Sequence, residues 1–118
     1  MRLRLFHNGN LEAANPHWHL WIDEDGSVGG EVIGRKSDFN GVKKIAQLLK
    51  KSETEELFNI AEEMKAFFST KPLSPDDIYI EMQHQGLPVF GFSVPPDGQR
   101  NYQAMFFGSV QELLKGHV

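Results

Sequence analysis

Apolar and polar residues alternate along several stretches of the chain, and that alternation predicts strands. In Arg2-Leu3-Arg4-Leu5-Phe6-His7 the leucines fall on every second position, which predicts a first strand over 2–7. Asn8-Gly9-Asn10 breaks it, and Asn15-Pro16 ends the connection. The run His17-Trp18-His19-Leu20-Trp21-Ile22-Asp23 predicts a second strand. Trp18, Leu20 and Ile22 share its core face. His17, His19, Trp21 and Asp23 share the other, with residues 8–16 as a loop able to lie over Trp21. Asp25-Gly26 is a hairpin signal, and 27–34 returns as a third strand. Gly29, Gly30 and Gly34 predict bulged geometry there.

The period then lengthens. Val42, Ile45, Ala46 and Leu49 predict a helix over 38–51, capped by Ser37 or Asp38 and closed by Lys50 and Lys51. A second helix starts at Ser52 or Thr54, where Ser52 and Glu55 form a capping-box pattern. Its apolar face is Leu57, Ile60, Ala61, Met64, Phe67 and Phe68, and Lys71-Pro72 ends it. After a Pro72–Pro75 linker, strands are expected over 77–83, 87–94 and 101–107, with turns at His84-Gln85-Gly86 and Pro95-Pro96-Asp97-Gly98. A short helix over 109–115, with Gly116 after it, closes the chain. The order β-β-β-α-α-β-β-β-α, with tight turns inside each strand group, points to an α+β fold. Its architecture is a single domain spanning 1–118, one antiparallel sheet of about six strands with the helices packed on one face.

Composition narrows the chemistry. The chain is 40% hydrophobic with nine Phe, which supplies a core without disulfides or a structural metal. It has no cysteine, which excludes disulfides, thiolate metal sites and a cysteine nucleophile and suits a reducing compartment. No leader peptide or membrane span is legible, so the expectation is a cytoplasmic protein with no membrane partner. A net charge of −4 opposes tracking of a nucleic-acid backbone. The basic pairs Lys43-Lys44 and Lys50-Lys51 read as a solvated face. The glycines after Asp25 are not followed by the Gly-Lys-Ser/Thr of a phosphate loop, and no Gly-x-Ser-x-Gly elbow occurs.

His17 and His19 carry the sharpest chemical signal. Two residues apart on a strand, they point the same way and could share Zn²⁺ or Fe²⁺ with a carboxylate from Asp23 or Glu24. The spacing His17-x-His19-x₄-Glu24, followed by Gly30, resembles the first metal motif of the cupin family. The resemblance ends within residues 17–30. Helices are expected next where a cupin continues with strands, and His84 lacks the Pro-Gly-His context of a second motif. The chain is therefore not read as a cupin.

Tyr79, Glu81 and Gln83 lie on the non-core face of their strand and would extend the His17, His19 and Trp21 surface if the two strands are neighbours. The functional expectation is a non-enzymatic protein-binding module needing no cofactor, such as an immunity or antitoxin-like inhibitor that occludes a partner's surface. Trp21 and Tyr79 would anchor it, with Asp23, Glu24 and Asp25 steering a basic partner. The alternatives are a metal-binding protein or small metal-dependent enzyme built on His17 and His19, and a homo-oligomer formed through the sheet edges.

Overall fold

The computed structural model describes residues 1–7, 17–35, 40–68, 70 and 76–114. It contains one six-stranded antiparallel sheet in the order β4-β3-β2-β1-β5-β6. The strands are β1 (Arg2–His7), β2 (His17–Asp23), β3 (Ser27–Arg35), β4 (Asn40–Leu48), β5 (Ile78–His84) and β6 (Leu87–Val94). Helix α1 (Lys51–Met64) separates β4 from β5, and α2 (Pro96–Asn101) and α3 (Gly108–Leu114) follow β6. A π-helical turn over Gln103–Phe107 joins α2 to α3.

Alternation builds the core. Leu3 and Leu5 of β1, Leu20 and Ile22 of β2, and Ile80 of β5 are fully buried on one face of the sheet. Leu57, Ile60, Ala61 and Met64 of α1 close over that face, together with Phe106, Phe107, Val110, Leu113 and Leu114. The helices thus pack on one side, as the segregation of elements predicts. This single sheet backed by helices is not the two-sheet jelly roll of cupins.

Two elements differ from the sequence expectation. The stretch expected as a helix over 38–51 contains β4, which pairs with β3 from Ser27↔Leu48 to Arg35↔Asn40. Gly41, Val42 and Ile45 favour helix weakly, and pairing with the otherwise open edge of β3 overrides their helical spacing. Ser37 and Asp38, expected as caps, lie outside the described residues, as do Pro72–Pro75, Lys115 and Gly116. The stretch expected as a strand over 101–107 is helical instead. Pro96 opens α2 at its first turn, where a missing N–H costs nothing. Phe106 and Phe107 are both buried, which a strand facing solvent on one side forbids. With Val110, Leu113 and Leu114 they form a helical stripe.

Two further details are corrected. Phe67 is 73% exposed because α1 ends at Met64 and the following turn takes Phe67 off the apolar face. Phe68 returns to the core by stacking on Phe92 at 6.0 Å. The β2–β3 register runs without a shift; the irregularity lies in β5–β6, at Met82/Gln83. That bulge and Pro88 blunt the β6 edge. The β5–β6 turn has positive φ at both Gln85 and Gly86, the geometry that twists a hairpin correctly.

The π turn depends on Gly108. Its backbone N–H donates to the Gln103 carbonyl, and a Cβ there would lie 2.7 Å from that oxygen. Gly108→Ala is expected to cost about 1–3 kcal/mol, because a backbone oxygen has to give way. Urea unfolding measures this, and an unchanged midpoint would show that the π turn is not required.

Candidate functional site

The sheet face opposite the helices carries the candidate site. Because β1 lies between β2 and β5, His19 and Trp21 do not neighbour Tyr79 and Glu81 directly. Arg4 and Phe6 of β1 stand between them. Phe6 is opposite His19 on one side and Tyr79 on the other, and Arg4 is opposite Trp21 and Glu81. Two rows result. One runs Glu31, His19, Phe6, Tyr79, and the next runs Gly29, Trp21, Arg4, Glu81. Sequence reasoning placed β1 correctly but did not single out Arg4 and Phe6. Their signal was the same alternation that marks Leu3 and Leu5 as core.

The rings touch one another. Phe6 stacks on His19 with centroids 4.3 Å apart and planes 13° from parallel. Tyr79 approaches Phe6 from the other side at 6.2 Å. Trp21 meets His19 edge-on at 5.1 Å. The Arg4 guanidinium lies 4.8 Å from the Phe6 centroid, and that of Arg2 lies 5.8 Å from the Trp21 ring. Phe6, His19, Trp21 and Tyr79 are all partly exposed. Trp18, on the opposite face of β2, packs against the core.

Two glycines let the larger rings lie flat. A Cβ on Gly29 would sit 2.5 Å from the Trp21 indole, and one on Gly91 would sit 2.0 Å from the Tyr79 hydroxyl. Gly29 of β3 therefore marks the close approach of a ring rather than a bulge, and Gly91 of β6 plays the same part for β5.

Arg4 fixes the state of His19. Its Nε donates to His19 Nε2 at 3.2 Å, and a second guanidinium nitrogen lies at the same distance. Arginine cannot accept a hydrogen bond, so Nε2 is the acceptor and the neutral ring carries its proton on Nδ1. Burial holds the His19 pKa below its ordinary value, Arg4 and Arg2 reinforce this, and Glu31 opposes it. Burial also raises the pKa of Tyr79, with Glu81 adding to it.

The acidic residues expected to steer a partner sit at the β2–β3 turn, at one end of this face. Each is engaged within the chain. Asp23 takes two hydrogen bonds from Arg2, at 2.7 and 3.2 Å. Glu24 pairs with the Met1 amine. Asp25 accepts from the Ser27 backbone N–H at 2.9 Å, which holds its carboxyl below the usual range.

For a metal, the chain geometry is unfavourable. Asp23 is four residues from His19, about 13 Å along an extended strand, far beyond coordination distance. A cation at His19 Nε2 would have to displace Arg4. The side chain of His17 lies outside the described residues, as does the 8–16 loop. Among the described residues no group of three or more His, Asp or Glu could hold a metal ion. Among them, too, no helix is long and apolar enough to cross a membrane. No protein-family model matches the chain, and no curated protein is significantly similar to it.

Acidification tests the Arg4–His19 contact. A lowered folded pKa means that the unfolded chain binds the proton more readily, so this stability is present above the ordinary histidine value of 6.5. It is lost as pH falls from there through the folded value. The glutamine of His19→Gln can still accept from Arg4 but does not titrate. This variant is expected to lose less stability than the parent between about pH 7.5 and about pH 5 in urea unfolding. An equal loss would show that His19 is not held neutral.

Proposed function

We propose that this chain is a protein-binding module that uses the open sheet face to occlude the surface of a partner. The observation that carries this reading is the contiguous layer of Arg4, Phe6, His19, Trp21 and Tyr79 on a face that the helices leave uncovered. Tryptophan, tyrosine and arginine dominate the energy of protein interfaces, because they bury large areas while keeping a polar handle. Here they are already positioned. Gly29 and Gly91 hold two rings flat, and Arg4 bridges His19 and Phe6. Little ordering is left to occur on binding.

The charge pattern favours a protein over a nucleic acid. Arg2 is paired with Asp23, and Glu31 and Glu81 stand in the rows beside His19 and Arg4. A backbone-tracking surface would present cations without interleaved carboxylates. The steering role first expected of Asp23, Glu24 and Asp25 becomes secondary in this reading, since their charges are offset locally. Trp21 and Tyr79 remain the anchors, joined by Arg4 and Phe6. Inhibition of the immunity or antitoxin kind, acting in the cytoplasm, is the form of occlusion most in keeping with a small acidic chain lacking cysteine.

The test compares capture by the parent and two variants. Trp21→Ala removes an anchor, and Gly29→Val keeps every ring but pushes the indole off its seat. A partner is expected to be retained by the parent and lost by both. Calorimetry on the purified pair is expected to show at least about 1–2 kcal/mol weaker binding for Trp21→Ala with its melting temperature unchanged. Equal affinity across the three proteins would contradict the proposal. Stoichiometric zinc or iron in elemental analysis, with a melting shift on adding Zn²⁺, would replace it with the metal reading.

A further inference from the structure

A second surface lies away from the open face and does not depend on it. Where β4 ends against α1, the π turn and α3, the molecule has a groove of about 550 Å³. Its floor is apolar, formed by Leu57 and Leu113. Met105 stands at its lip, 52% exposed, and Leu49, which follows β4 and packs against the core, lines it half-buried. Its rim is acidic, formed by Glu53 and Glu56 of α1 and Glu112 of α3. Among the described residues no lysine, arginine or histidine lines it. The ion pairs of α1 involve Glu55 and Glu62 instead, so Glu53, Glu56 and Glu112 have no cationic partner among the described residues.

We propose that this groove takes a cationic amphipathic segment of a partner protein, with apolar side chains on Leu49 and Met105 and lysine or arginine against the three glutamates. Charge complementarity decides the occupant. Three unpaired carboxylates around an apolar floor repel an acidic segment and attract a basic one, while the floor requires apolar anchors between the cations. The π turn supports the same site. Such turns are frequent at functional positions, and Met105 is part of this one at the lip of the groove. Methionine is an adaptable contact for apolar side chains of varied shape.

The probe is a synthetic helical peptide with leucine on one face and lysine on the other, paired with a control that replaces each lysine by glutamate. Fluorescence anisotropy against the intact chain is expected to show binding of the lysine peptide only, weakening as salt is raised. The triple variant Glu53→Gln, Glu56→Gln, Glu112→Gln is expected to bind about tenfold more weakly, a loss consistent with three partly exposed ion pairs. Met105→Ser is expected to weaken binding as well, and Trp21→Ala to leave it unchanged. All four altered groove residues are exposed, so melting temperatures should stay close to the parent's. Equal binding of both peptides, no binding of either, or a triple variant with parental affinity would each overturn the proposal. So would a Trp21→Ala effect as large as that of the triple variant, or a dimer in which a second copy fills the groove.

Discussion

Everything on the sheet follows from one register, that of β1 at its centre. Leu3 and Leu5 are fully buried beneath the helices, and Arg4 and Phe6 stand on the opposite face. A slip of one residue would exchange them, driving a guanidinium into the core and two leucines into water. Because β1 pairs on both sides, this one choice positions β2 and β5 together. It brings His19 and Tyr79 to either side of Phe6, and Trp21 and Glu81 to either side of Arg4. The aromatic layer is thus the outward consequence of the same alternation that fills the core.

The two sides of the molecule differ in charge as well as shape. On the open face cations and carboxylates alternate, and the one histidine with a described side chain there is kept neutral by burial and by Arg4. The helical side carries the acidic excess, with Glu53, Glu55, Glu56, Glu62 and Glu63 along α1 and Glu112 on α3. A net charge of −4 therefore does not describe the aromatic face, which is close to balanced. A partner drawn by the acidity would meet the helices, and one anchored by rings would meet the sheet.

Short-range patterns were legible in the sequence, and neighbour relations were not. The alternation in 17–23 separates Trp18 from Trp21 correctly, and the stripe Leu57, Ile60, Ala61, Met64 identifies α1. The 40–48 stretch misleads because its apolar residues suit either period, and only pairing with β3 decides between them. The 101–107 stretch misleads for the opposite reason. Phe106, Phe107, Val110, Leu113 and Leu114 already form a helical series, but the Pro95-Pro96-Asp97-Gly98 turn signal invites another strand after it. Arg4 and Phe6 escaped notice because their role comes from strand order, which no local spacing encodes. Gly29 suggested a bulge and Gly91 gave no signal, since each is explained by a ring on an adjacent strand.

The state of the His19 imidazole reports most directly on this arrangement, because its proton position depends on Arg4 reaching across from β1. Nitrogen NMR of the ring at neutral pH measures it without a partner or a variant. A neutral ring protonated at Nδ1, with Nε2 accepting a hydrogen bond, is the expected spectrum. A ring protonated at Nε2, or an imidazolium, would mean that Arg4 and His19 do not meet and that the aromatic layer is not assembled as described.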